Sequence, residues 1–375
     1  MKKITLLLTL MFFSVSVIYA AKPFKFTFSE DICYDDNIYL SNEDETSSAI
    51  SSTQLLAEYL VNIPNTALKF GANANVGYNA YLESPAKNDY VNAGAGFNIG
   101  NSKFYLDEQF LYTADPATSE LTERAKRIKN YAAFKFRTST EKMFSIGFML
   151  SDVLDKYLDD AYEYLSRNRV NAGVQAYYNL SSKTSFYIGY LFSDIRYEDY
   201  KYNNSTNNSI SLGVIGNITQ KIKGSAQISY DMRNYEEDME EIDSNANIFG
   251  YILSLTYEPT NRNSITLSGE RKMEESVFIN NRYYVSTEIG LEYKQKILQK
   301  WEAGLLVSYE NMDYPEKIDG VNRYDDLIKV KPSIEYKFKD YLFAGLWYQF
   351  RNKTSNCSVA EYVNNRAGIQ VKLCF

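Results

Sequence analysis

Histidine is absent from the 375-residue chain, which removes the side chain that most often serves as general base or as the partner of one. Carboxylate pairs such as Asp35-Asp36 and Asp159-Asp160 remain. Adjacent acids in polar connections read as solvated surface, so acid-base catalysis is not expected of them. Beyond residue 20 no apolar run approaches the roughly 20 residues that a membrane-crossing helix needs, which excludes a polytopic helical protein. A basic excess is missing too. The formal net charge is -7, more negative still without Lys2 and Lys3, and a nucleic-acid partner would favour a basic face. Cysteine is scarce, and its count of three is odd for an oxidising compartment.

What is present begins with a leader. MKKITLLLTLMFFSVSVIYA has Lys2 and Lys3, an apolar run from Ile4 to Ile18, and Ala20 as a cleavage residue, the pattern of a secretory signal peptide over residues 1–20. Residues 21–375 are then expected to form one domain, exported by the Sec pathway, with no linker or appended module. Tyr 34, Phe 21 and Gly 18 are its conspicuous residues, yet the chain is hydrophilic on average. That combination suits strict alternation, in which each apolar residue is followed by a polar or small one.

The alternation is explicit. KFGANANVGYNAYL sets Phe70, Ala72, Ala74, Val76, Tyr78 and Ala80 against Lys69, Gly71, Asn73, Asn75, Gly77 and Asn79. NIFGYILSLTY sets Phe249, Tyr251, Leu253, Leu255 and Tyr257 against Gly250, Ile252, Ser254 and Thr256. LIKVKPSIEYKF opposes Ile328, Val330, Ile334, Tyr336 and Phe338 to Lys329, Lys331, Ser333, Glu335 and Lys337. A soluble sandwich alternates as well, so the spacing of the breaks decides. Short connections at 63–65, 100–101, 138–142, 181–183, 219–221, 259–263, 298–300 and 338–340 alternate with long polar ones near 36–50, 82–89, 114–127, 151–165, 197–208, 234–246, 273–282, 312–325 and 352–361. This rhythm predicts an all-β transmembrane antiparallel up-and-down barrel, with short periplasmic turns and long extracellular loops. About 18 strands fit, an even number that brings both termini to the periplasm, and 16 is the alternative. STQLLAEYLVN alternates poorly, Glu108 falls on the lipid face, where a carboxylate is costly, and Pro332 implies a local bulge or a strand end.

The final segment, NNRAGIQVKLCF, alternates to its last residue. In a closed barrel the last strand pairs with the first, and Val371, Leu373 and Phe375 look like the outer-membrane assembly signal read by the barrel insertion machinery. Inward positions supply candidate pore-lining residues: Lys69, Lys135, Arg137, Glu288, Glu292, Lys329, Lys331, Glu335 and Lys337. Their signs are mixed, so charge selectivity does not follow. Closing the barrel brings the outer end of the first strand beside the last loop, which suggests a Cys33–Cys357 disulfide with Cys374 free. No cofactor or metal is expected. The acidic stretches NEDET (42–46) and YEEDMEEID (235–243) have oxygens that suit Ca²⁺, but they read as solvated loops facing lipopolysaccharide. The stretch 151–166 suits a short helix folded into or over the pore, with Tyr157, Tyr162 and Tyr164 shaping a constriction, or an ordinary mobile loop.

Several segments together carry a resemblance. CYDDNIYLS (33–41), the long run from Leu165 to Asp199 with its SSKTS turn, SAQISYDMRNYEE (225–237) and EPTNRNSITLSGERKMEES (258–276) resemble the putative β-barrel porin type 2 family. The resemblance implies an outer-membrane barrel of a Gram-negative-type bacterium, associated with a surface or capsular polysaccharide export system, and it brings no catalytic residues. The barrel enzymes of outer membranes use histidine, so no enzyme is expected. The function implied is a porin-like channel conducting saccharides or exopolysaccharide, in contact with outer-membrane lipid. The alternative is a non-conducting structural or adhesive surface barrel with a loop-plugged lumen.

Overall fold

The computed structural model describes residues 23–115, 124–181, 183–237, 245–278, 281–318 and 321–375; the expected signal peptide, and part of the 235–243 acidic stretch, lie outside them. The alternating segments all become strands. The first six are β1 (Phe24–Asp35), β2 (Ser48–Asn62), β3 (Lys69–Tyr81), β4 (Tyr90–Gly100), β5 (Phe104–Thr113) and β6 (Arg127–Arg137). The next six are β7 (Phe144–Tyr157), β8 (Arg167–Ser181), β9 (Thr184–Tyr197), β10 (Ser205–Asn217), β11 (Ile222–Tyr235) and β12 (Asn245–Thr260). The circle is completed by β13 (Asn263–Glu275), β14 (Tyr283–Ile297), β15 (Trp301–Ile318), β16 (Val321–Lys339), β17 (Leu342–Ser355) and β18 (Tyr362–Cys374).

Each strand pairs antiparallel with the next, and β18 pairs with β1 from Thr27–Cys374 to Asp35–Arg366, closing an 18-stranded barrel. Closure leaves no open edge, which a sheet with one greasy face in lipid requires. The ladder runs to the last residue: Phe375 N–H donates to Phe26 O (2.8 Å) and Phe26 N–H to Phe375 O (3.0 Å). Because the pleat has period two, Ile369, Val371, Leu373 and Phe375 share the outer face, while Arg366, Gly368, Gln370 and Lys372 face the lumen. Inside, small residues make room for large ones. A Cβ on Gly213 would collide with the Tyr187 ring, which lies across it.

Three strands resolve doubtful segments. STQLLAEYLVN is ordinary ladder within β2, with Gln54, Leu56 and Glu58 inward. Glu108 does face outward, between Leu106 and Phe110, and accepts a hydrogen bond from Asn130 Nδ2 (2.6 Å) on the adjacent strand. Glu30 on β1 also faces outward, bonded by the hydroxyls of Ser51 (2.5 Å) and Thr53 (2.6 Å). Pro332 sits mid-strand on the outer face, and the β16–β17 ladder is interrupted between Val330–Phe350 and Ser333–Trp347 because proline has no N–H to give.

The long connections are shorter than their polarity suggests. Most of 312–325 is a hairpin extension of β15 and β16, and β7 continues to Tyr157. Met312, Tyr314 and Leu327 keep these extensions ordered by burying themselves against Tyr284 and Tyr362. Residues 36–47 bend inward. Asn37, fully buried, donates to the carbonyls of Ser41 and Val363, Ile38 packs on Cys33, Ile50 and Tyr81, and Leu40 reaches the Tyr284–Tyr314 cluster. Asp160–Leu165 is a 3-10 turn, and Tyr164 Oη donates across to Val277 O (2.7 Å).

The largest departure from a plain cylinder is the β13–β14 tip. The β12–β13 ladder stops at Tyr251–Arg271, although β13 goes on pairing with β14 as far as Glu275–Tyr283, and β12 goes on pairing with β11. Above that rung Glu275 lies against Arg233 and Arg169, inward residues of β11 and β8, and Tyr283 stacks on Tyr235. The tip has therefore parted from β12 and turned inward, while β14 keeps its ladder with β15 as far as Val285–Asp313.

The expected Cys33–Cys357 disulfide does not form. All three thiols are free. Cys33 points into the buried Ile38–Ile50–Tyr81 cluster, with Arg366 Nη2 at 3.5 Å from its sulfur. Cys357 precedes the Ser358–Ala360 turn, and the rungs from Cys33–Gly368 to Asp35–Arg366 separate the two.

Candidate functional site

Charge is concentrated where the folded-in tip narrows the lumen. One cavity of about 360 Å³ is lined from β6–β8 by Arg127, Lys129, Asp155, Arg167 and Arg169, and from β13–β16 by Glu270, Lys272, Glu274, Ser286, Glu288, Glu310 and Lys329. Strands on far sides of the ring share this space because the tip carries one set of side chains toward the other. The β6–β8 side holds four cations and one carboxylate; the opposite side holds four carboxylates and two lysines. Opposed signs across a narrow passage create a transverse field, strengthened by the low-dielectric walls.

The groups are held rather than loose. Asp155 sits 3.3 Å from Arg127 and 3.7 Å from Arg167, Lys272 bridges Glu270 (2.9 Å) and Glu274 (2.8 Å), and Ser286 Oγ donates to Glu310 (2.8 Å), which Lys329 approaches at 3.8 Å. Arg127 and Asp155 are both buried. Such a buried pair adds little net stability, but loss of either partner leaves an uncompensated charge.

Elsewhere the lumen mixes neutral and aromatic groups with charges that are mostly paired or stacked. Thr27, Ser29, Gln54, Asn75, Asn92 and Thr113 line a second cavity of about 340 Å³ on the β1–β5 side. Toward the short turns, Arg137 stacks on Tyr177 at 3.7 Å and donates to Ser145 (3.0 Å) and Asn179 (2.6 Å), while Tyr187 Oη donates to Gln227 (2.6 Å). At the seam Trp347 donates to Asp31 (2.7 Å) beneath Lys331, 4.8 Å from the ring. A concavity of about 810 Å³ with Phe144, Tyr178, Phe186 and Leu253 in its lining draws mainly on the lipid-facing side of β7–β12, and Tyr177, Tyr187 and Gln227 also border it.

The sequence matches the family model described as Putative beta-barrel porin 2 over residues 25–375. The chain belongs to that family. This porin is an outer-membrane barrel with the architecture of a porin-like channel. No curated protein sequence matches it. Its fold is shared with the outer membrane protein OpdK from Pseudomonas aeruginosa, at 10% identity over 94% of this chain and 99% of that one, TM-score 0.52. It is shared also with a BenF-like porin from Pseudomonas fluorescens Pf-5 (11%, 94% and 98%, TM-score 0.54) and with OccK2 of Pseudomonas aeruginosa in complex with glucuronate (10%, 94% and 96%, TM-score 0.52).

The porin's nine sequence candidates all occupy inward positions of their strands, but only Glu288 and Lys329 meet in the constriction. Lys135 and Arg137 belong to the lower aromatic ring, Glu335 pairs with Lys372 (2.7 Å), and Glu292 pairs with Lys294 (2.7 Å). Lys337 turns to Asp340 (2.8 Å) at the short-turn rim, and Lys69 lies at the same end, exposed. Arg127, Asp155, Arg167 and Arg169 escaped the sequence reading. The first two fell in segments read as loops; the Arg-Asn-Arg alternation at 167–169 was the available signal.

Proposed function

We propose that this porin is a solute-selective channel for small polar solutes, with saccharides as the expected class. The observation that supports it most is the opposition of Arg127, Lys129, Arg167 and Arg169 to Glu270, Glu274, Glu288 and Glu310 across one cavity. A solute passing there exchanges water for fixed donors and acceptors and aligns with the field. The hydroxyls and amides of the β1–β5 wall suit sugar hydroxyls, and the Tyr177, Tyr187 and Trp347 rings offer surfaces for sugar faces. That the structurally similar OccK2 was crystallised with glucuronate is in keeping with a solute of this size. Exopolysaccharide is a further candidate, and its passage would involve an export system on the periplasmic side. The expected surroundings are outer-membrane lipid, lipopolysaccharide against the long loops, and the barrel insertion machinery engaging Val371, Leu373 and Phe375.

A second reading has its own observation. The inward bend of residues 36–47 and the folded-in tip bury Tyr284, Met312 and Tyr314 within the mouth, with Leu40 packed against them, which favours a barrel closed at rest with a structural or adhesive role. Single-channel recording of the refolded barrel in planar bilayers separates the two. Stepwise conductance that falls when a mono- or oligosaccharide is added supports the channel; a folded barrel that stays silent supports the closed surface protein.

A further inference from the structure

We infer that Glu275 is the positioning residue of the constriction, latching the folded-in β13–β14 tip to the inner wall and thereby setting the width and charge of the passage. Its functional meaning rests on the channel reading above; the latch itself rests on geometry.

The tip stays paired with β15 as far as Val285–Asp313, but its β13 edge has given up its ladder with β12 above Tyr251–Arg271. Something must hold that edge against the wall. At the departure point Arg271 spans the gap, donating to Phe249 O (3.2 Å) on β12 and to Thr287 Oγ1 (2.8 Å) on β14. At the far end, Glu275 lies 2.9 Å from Arg169 and 2.9 Å from Arg233, and Tyr197 Oη donates to it at 2.8 Å. These partners come from three different strands, β8, β11 and β9, so one carboxylate ties the tip to a broad arc of wall. Its side chain is 1% exposed. The stack of Tyr283 on Tyr235 completes that face.

The other face of the same tip carries Lys272, Glu274 and Ser286 into the constriction, directly above Glu270 and Glu288 of the wall. Position and selectivity are therefore coupled through Glu275. Loss of its charge leaves Arg169 and Arg233 without their shared counter-ion, beside Arg127 and Arg167. The free edge of the tip then loses its ionic attachment to the wall, and the passage gains uncompensated positive charge.

The test uses the full-length barrel with Cys33, Cys357 and Cys374 replaced by serine and a single reporter, Ser276→Cys, which is 2% exposed in the folded-in tip. Maleimide labelling of the folded form, verified by heat-modifiable gel mobility, should be slow. Glu275→Ala should raise its rate by about tenfold or more, because a local opening is now populated. In bilayers the same change should enlarge the single-channel conductance and move selectivity toward anions. Glu275→Gln and Tyr197→Phe carry the test should Glu275→Ala fail to fold. Labelling that remains at the parental rate in the folded variants overturns the latch, whatever the conductance. Faster labelling in a barrel that never conducts upholds the latch and removes the channel reading alone.

Discussion

Reversal of one charge, Lys329→Glu, tests the constriction most directly. Lys329 lies on β16 at the edge of the carboxylate-rich side, 3.8 Å from Glu310. The substitution changes the local charge by two units, and an ion passing about 5 Å away in water feels roughly 1.7 kcal/mol from that change before screening. A Debye length of about 8 Å at physiological salt reduces it to about 0.9 kcal/mol. Cation and anion respond with opposite signs, so their permeability ratio should move by about 1.8 kcal/mol, on the order of ten- to twentyfold toward cations. Reversal potentials of single channels in a potassium chloride gradient read this ratio. Lys69→Glu is the control, because Lys69 lies at the short-turn end and outside the constriction's lining; it should move the ratio far less. Equal shifts from the two substitutions, or less than a twofold shift from Lys329→Glu in a folded channel, would refute the assignment of the constriction.

Asp325 is fully buried between Lys353 (2.9 Å) and Arg323 (2.6 Å), with Ser355 Oγ donating at 2.6 Å. Asp325→Ala removes a buried counter-ion shared by Lys353 and Arg323 and should cost about 3–5 kcal/mol in urea unfolding of the lipid-refolded barrel; a loss below about 1 kcal/mol would show that the cluster does not depend on this carboxylate. Deletion of Phe375 removes both of its ladder bonds to Phe26 and its stack on Tyr341, and should slow insertion by the barrel assembly machinery far more than Phe375→Tyr does. Glu108→Gln keeps an acceptor for Asn130 while removing a lipid-facing carboxylate; it should leave the barrel equally or more stable, by up to about 1 kcal/mol, and marked destabilisation would place that face outside the hydrocarbon. Non-reducing peptide mapping should find Cys33, Cys357 and Cys374 all as thiols.

The barrel was legible because its two faces meet two solvents, and a period of two records that difference in every strand. The alternation at 69–81 and 328–338 is the lipid boundary written in side chains, and strand number followed from counting it. Strand length was less legible. Extensions such as the outer end of β15 are polar in composition, so the sequence there resembles a loop even where the ladder continues. The constriction was partly legible: Glu288 and Lys329 were identified by inward parity, whereas Arg127 and Asp155 were lost with the loops that were expected to contain them. Parity assigns a face. It cannot say which inward residues meet across the lumen, and the disulfide expectation failed for a related reason, since proximity at the seam was inferred without the intervening rungs.

Glu275 marks the point at which parity itself misleads. By alternation from Glu270 and Glu274, which face the lumen, Glu275 belongs to the outer set with Arg271 and Met273. A carboxylate there would face lipid or the headgroup boundary, yet it is buried among Arg169, Arg233 and Tyr197. Both statements hold because the tip has turned inside: its outer face has become the face that packs on the inner wall, and its inner face still looks into the channel. A hairpin that folds this way must carry polar or ionic residues on both sides, where a wall hairpin carries them on one. The sequence GERKMEES, with charges at Glu270, Arg271, Lys272, Glu274 and Glu275 on successive and not only alternate positions, has that double-sided character. Breakdown of the two-residue period at a strand's outer end, with charge on both faces, is therefore the sequence signature expected of a barrel hairpin that leaves the wall to narrow the pore.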